Sequence, residues 1–240
     1  MRVEVNQPLL RRRERVGLAY LVGATICLVG GFILSINLAD LEMQYAASLS
    51  SLLLGLLLWA KNQGYVLKWG PRWRQDEPLQ RALRSLDNRY RLLVAPATNL
   101  PDYLLVGPMG VVTIVSSPVE GQVRCEQGRW NQVGRQPLAL RLLTWFWPRP
   151  SLGNPSGQTL RDVAATRARL TDRLGDYASQ VPVDGLVVFT HPQVTLSLEG
   201  GPPIALTLRS LRGHVRRLPK ALDPDEVARV AGALHRDDSR

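Results

Sequence analysis

Two apolar runs dominate the first quarter of the chain. From Val16 to Leu38 no side chain is charged, and Leu, Ile, Val, Gly, Ala and Phe fill most positions. That run exceeds the ~20 residues a helix needs to cross a ~30 Å hydrocarbon core. A second uncharged run, Met43 to Ala60, is shorter, carries Ser48, Ser50 and Ser51, and closes with Trp59 before Lys61, both suited to a membrane interface. A cleaved signal peptide would also begin with basic residues, but its apolar core covers only ~7–15 residues and ends at an A-x-A-like site, which is absent here. For the second run the rival is a buried core helix. The pattern predicts a basic segment over 1–15, a transmembrane hairpin with spans at about 16–38 and 43–60, and a juxtamembrane linker over 61–75.

Beyond that linker, which contains the turn-rich aromatic stretch Trp69-Gly-Pro-Arg-Trp73, the periodicity changes. Asp76, Glu77 and Pro78 supply helix-start chemistry, and Leu79, Leu83 and Leu86 recur at helical spacing towards Asp87. Short strand-like pieces follow at Arg91–Ala95 and Tyr103–Val106, then the turn Gly107–Gly110, then Val111–Val115 and Gln122–Glu126. Val111–Val115 is apolar almost throughout, as in a strand buried on both faces. Leu138–Pro150 packs Trp145, Phe146 and Trp147 behind leucines, which fits either a segment at the bilayer interface or an ordinary core insertion.

A long helix is predicted over Gly157–Leu174, on Leu160, Val163, Ala164, Arg167, Leu170 and Leu174. A buried-type strand follows at Gly185–Thr190, then edge strands at Val194–Leu198 and Ile204–Leu208. Two helical stretches close the chain, the later opened by Asp223-Pro-Asp-Glu226 and striped by Val227, Val230, Ala231 and Leu234. This order predicts an α/β domain over 76–240, a mixed sheet flanked by helices, with α+β as the alternative arrangement.

Charge adds orientation and a class of partner. Five arginines precede the first run, Asp40 and Glu42 occupy the connection, and Lys61, Lys68, Arg72 and Arg74 follow the second. Basic flanks with an acidic tip predict a multi-pass cell-membrane protein whose termini and globular domain are both cytoplasmic. Residues 61–240 hold 25 of the 30 Lys and Arg and 16 of the 20 Asp and Glu, a net charge of +9. Such a domain is drawn to nucleic acid or to the anionic headgroups of the lipid bilayer. Cys27 and Cys125 fall in different segments, and His191, His214 and His235 are scattered, so nothing has zinc-site spacing. No P-loop, G-x-G-x-x-G, G-x-S-x-G or H-E-x-x-H occurs.

Three stretches, Asp102-Tyr-Leu-Leu-Val-Gly-Pro-Met-Gly-Val-Val-Thr-Ile114 with Gly121-Gln-Val123, Asn154-Pro-Ser-Gly-Gln158 and Asp184-Gly-Leu-Val-Val-Phe-Thr190, together resemble the nuclease-related domain, or NERD. The resemblance extends from about Glu77 to the final helix. It implies a restriction-endonuclease-like fold, in which a helix glutamate, an aspartate and an E-x-K tripeptide build a magnesium-dependent phosphodiesterase site. Carboxylates hold the ion, and ion and lysine together activate water and stabilise the pentavalent phosphate. By that likeness Glu77 matches the helix acid, Asp102 the aspartate and Gln158 the glutamine of the later helix. The tripeptide fails: Val115 stands where Glu is expected and Ser117 where Lys is expected. A valine cannot ligate a hard cation and a serine supplies no fixed positive charge. Glu77, Asp102 and Gln158 equally serve as a first-turn acid, a turn cap and a helix-end hydrogen-bonding group.

The expectation is therefore a membrane-anchored NERD-like module without nuclease activity, binding nucleic acid or a protein partner. One alternative is an active nuclease whose magnesium ligands have migrated, with Glu120 and Glu126 as the nearest acids. The other is a structural envelope protein whose basic charge contacts anionic lipid.

Overall fold

The computed structural model describes residues 1–37, 40–69, 76–126, 129–133, 152–199 and 204–235. The chain divides into two compact units, one built from Met1–Leu9 with most of the chain after Gln75, the other spanning Leu10–Arg74.

The helical unit is formed by α1 (Gln7–Asn37) and α2 (Leu41–Trp69). The cap of α1 is Asn6, whose Oδ1 accepts from the Leu9 N–H at 3.2 Å, with Pro8 in the first turn where its missing donor costs nothing. The helix therefore starts nine residues before the uncharged run does, and Arg11–Arg15 belong to its opening turns. Both helices are long and apolar enough to cross a membrane. Their apolar side chains are bare: Leu18, Ile26, Phe32 and Ile36 on α1 and Leu49, Leu53 and Leu57 on α2 are all exposed. A core helix of a soluble domain would bury these positions, and neither helix does so within the described residues. Small residues line the contact between the two helices. A Cβ on Gly31 would collide with Ser51, and one on Gly55 with Leu28, the close packing through which membrane helices associate.

The other unit is a mixed α/β domain. Its main sheet has the order β1 (Arg2–Val5), β2 (Arg91–Val94), β3 (Tyr103–Gly107), β4 (Gly110–Ser117), β7 (Val183–Phe189), β9 (Ile204–Thr207). Only β3 runs against the others. A second sheet sets β5 (Gln122–Glu126) between antiparallel β6 (Arg129–Val133) and parallel β8 (Thr195–Glu199).

Helices cover both faces of the main sheet. On one, α3 (Asp76–Leu83) and α5 (Leu208–Arg217) bring Leu79, Leu83, Leu211 and Val215 onto Leu92, Leu105, Val112, Ile114 and Val188. On the other, α4 (Pro155–Leu174) and α6 (Pro224–His235) bring Leu170, Val227, Val230 and Leu234 onto Leu93, Leu104, Val106 and Val111. Burial on both faces explains why β3 and β4 read as continuous apolar runs. Gly185 of β7 is needed for the α4 contact, because a Cβ there would collide with Thr159.

The sequence-based division starts the sheet domain at residue 76, whereas its sheet begins with Arg2–Val5. The register Arg2↔Arg91 to Val5↔Val94 is parallel. It is reinforced by an Arg91–Glu4 ion pair at 3.0 Å and by Asn6 Nδ2 donating to the Pro96 carbonyl at 3.2 Å. The helical hairpin is thus an insertion between two neighbouring strands. The 61–75 linker is also partly helical, since α2 continues to Trp69. The rest of the Trp69–Trp73 stretch and the aromatic segment 138–150 lie outside the described residues.

Candidate functional site

The C-terminal edge of the parallel strands β2, β4, β7 and β9 is where α/β sheets expose ligand sites, and it gathers most of the predicted positions. Asp102 immediately precedes β3 at this edge, its carbonyl accepting from the Ala95 N–H at 2.7 Å. Val115 and Ser117 end β4, opposite Val187 and Phe189 of β7. The Ser117 carbonyl accepts from both Thr190 N (2.9 Å) and Thr190 Oγ1 (3.2 Å), which closes the strand pair. Gln158 sits in the first turn of α4, half-buried, its N–H donating to the Asn154 carbonyl at 3.1 Å. That turn is capped by Asn154 Oδ1, which accepts from Gly157 N at 2.9 Å.

Glu77 is not part of this group. It lies on α3, which covers the opposite face from α4, and its exposed carboxylate pairs with Arg81 one turn on at 3.5 Å.

The surroundings of Val115 decide what the site can do. Val115 is 5% exposed and packs with Val119, Val123, Val187, Phe189 and Ala205, flanked by Trp130, Leu152 and Leu196. This third core fills the space between the two sheets. Trp130 tilts against Phe189 with ring centroids 5.8 Å apart, while its Nε1 donates to Ser156 Oγ at 2.6 Å. An apolar wedge therefore occupies the position where the resemblance expects a carboxylate and a hydrated ion.

The alternative acids are engaged elsewhere. Glu120 faces His191 Nε2 at 3.6 Å, and His191 Nδ1 accepts from Gln193 N at 3.3 Å. Glu126 pairs with Arg124 at 2.6 Å beyond the buried Val123 and Cys125. Among the described residues no group of three or more His, Cys, Asp and Glu could hold a metal ion. The donor set at the end of β4 does not fit magnesium, which requires several hard oxygen ligands. A groove of about 610 Å³ lined by Arg167, Thr171, Asp176, Ser179 and Pro182 lies at the other edge of the sheet, beside the start of β7, and includes none of the predicted positions.

The sequence reading passed over a second feature. Between Glu199 and Asp223 the chain contains no acid but carries Arg209, Arg212, His214, Arg216, Arg217 and Lys220. Helix α5 buries Leu211 and Val215 and exposes all four arginines. Thr207 and Ser210 form its capping box. Two of the arginines anchor to the turn after α3: Arg212 Nη1 donates to Ser85 Oγ (2.9 Å) and Arg216 Nη2 to the Ser85 carbonyl (3.0 Å). Arg84 is exposed beside that turn. Burial pushes the neighbouring Tyr90 hydroxyl up, and the Arg216 charge opposes the shift.

No protein-family model, curated protein or solved structure matches the chain.

Proposed function

We propose that the protein is a membrane-anchored module of nuclease-like ancestry that no longer hydrolyses phosphodiesters and acts by binding, with nucleic acid or a protein partner as ligand at the cytosolic membrane face. The observation that carries this reading is the apolar packing around Val115. Phosphodiester hydrolysis requires a fixed charge or metal where negative charge develops on phosphate. The end of β4 offers neither, and Ser117 contributes only backbone and a hydroxyl.

The anchoring half of the proposal is supported by the pairing of β1 with β2. Two strands of one sheet lie on one side of a bilayer, so the chain between them crosses an even number of times. A lone span at α1 would separate Val5 from Val94. Two spans satisfy the pairing, and the basic flanks orient them with the sheet domain in the cytoplasm.

The test of the binding-only reading is a cleavage assay on the full-length protein in detergent or nanodiscs. Labelled DNA and RNA are supplied with magnesium or manganese. The expected result is no cutting above a mock preparation. Metal-dependent cutting that Asp102→Ala abolishes would overturn it.

A further inference from the structure

We infer that the arginine stripe of α5, extended by Arg84 of the α3–β2 turn, is a docking surface for the phosphate backbone of nucleic acid. The inference rests on the binding-module reading and names both ligand and surface. Arg209, Arg212 and Arg216 stand at i, i+3 and i+7, so they share one exposed face of the helix, beside the buried Leu211 and Val215, with Arg217 further round on the solvent side. Among the described residues, none of these arginines nor Arg84 forms an ion pair, although the domain does pair its charges elsewhere, as at Arg81–Glu77, Arg89–Asp87 and Arg91–Glu4.

The residue type points to phosphate. A guanidinium is planar, always charged and weakly hydrated, and it bonds phosphate oxygens two at a time. Ser85 holds two of the guanidinium groups from one side through single nitrogens, which lowers the entropy lost on binding and leaves their other donors available. From Arg209 to Arg216 the stripe is about 10 Å long at 1.5 Å per residue. A repeating anion uses that length better than one phosphate group does. A lipid surface is the weaker match, because its phosphates are separate headgroups and not a continuous backbone.

The experiment uses the full chain in zwitterionic nanodiscs and a fluorescent 30-mer, as duplex DNA or single-stranded RNA, with anisotropy followed across a salt titration. Binding is expected to weaken steeply with salt. Joint substitution Arg209→Ala, Arg212→Ala and Arg216→Ala should lower affinity at least about tenfold at low salt and flatten the log–log slope by about 2–3, since each phosphate neutralised contributes close to 0.9 for duplex DNA. Arg209→Ala with Arg217→Ala, which spares the Ser85 contacts, should flatten it by about 1–2 and covers the case in which the triple variant misfolds. A control losing the same charge, Arg129→Ala with Arg161→Ala, should leave the slope unchanged. Equal slopes for the α5 variants and the control would overturn the inference. So would capture of phosphatidylglycerol vesicles that the α5 substitutions abolish while the 30-mer does not bind. Metal-dependent cutting of the 30-mer is a separate outcome that contradicts the binding-only reading and leaves the docking surface standing if the α5 variants still bind less.

Discussion

At the residue scale, the departure from the E-x-K pattern was legible in the sequence, because valine has no atom that ligates a hard cation and serine carries no fixed positive charge. Which groups would surround Val115 was not legible, because Phe189 arrives from a strand far along the chain and Val123 and Trp130 belong to a second sheet that folds back over β4. Their packing makes a firm prediction: Val115→Glu buries a carboxylate without a partner and should cost about 3–5 kcal/mol at neutral pH. Burial raises the pKa of such a carboxyl, so part of the loss should be regained as pH falls and the group becomes neutral. Urea unfolding at pH 7 and pH 5 measures both, and a midpoint unchanged at pH 7 would contradict the placement of Val115. Glu226 behaves in the opposite sense. Its carboxylate accepts from Tyr177 O–H at 2.6 Å and from Asp223 N at 2.8 Å, and these bonds hold its pKa below the ordinary glutamate range. A depressed pKa stabilises the fold fully above the unfolded value of about 4.3, and the contribution is lost as pH falls through the lower folded value. Glu226→Gln should therefore flatten the fall in Tm that the natural protein shows below about pH 4.3.

At the scale of elements, most of the strands and helices followed from periodicity. Val111–Val115, Gln122–Glu126 and Gly185–Thr190 all lie within or almost within observed strands, and helix-start chemistry located α3, α4 and α6. Two strands were missed for physical reasons. Arg2–Val5 is only four residues long and adjoins a basic run, so its alternation is too short to stand out. Arg129–Val133 gains its pairing from β5 and not from its own composition. The arginine stripe of α5 was hidden differently: Leu208, Leu211 and Val215 announce a helix, but only the fold shows which side of it stays bare. The strand β1 yields a prediction of its own. A fragment beginning at Asp76 lacks the edge strand and exposes the β2 ladder. Attaching residues 1–6 to it through a Gly/Ser linker long enough to reach the sheet should raise stability by roughly 2–4 kcal/mol, at about 1 kcal/mol per ladder hydrogen bond. Replacing Val3 by Pro in the attached segment should remove much of that gain. Equal urea midpoints with and without the segment would contradict the pairing.

At the scale of the whole molecule, the pairing of β1 with β2 ties membrane topology to folding. Residues 2–5 and 91–94 share a sheet, so in the proposed topology the chain between them crosses the bilayer an even number of times. On that proposal the basic charge of the sheet domain acts from one membrane face. The measurement that reaches this claim most directly is sidedness of labelling. In a protein with Cys27 and Cys125 replaced by Ala, single cysteines are placed at Glu42 in the hairpin tip, at Arg161 on the exposed face of α4 and at Arg2 on β1. An impermeant thiol reagent is then applied to intact cells and to inside-out vesicles. The account predicts that Glu42→Cys reacts in intact cells, whereas Arg161→Cys and Arg2→Cys react only in inside-out vesicles. Labelling of Glu42→Cys and Arg161→Cys from the same side, or of Arg2→Cys and Arg161→Cys from opposite sides, would contradict it.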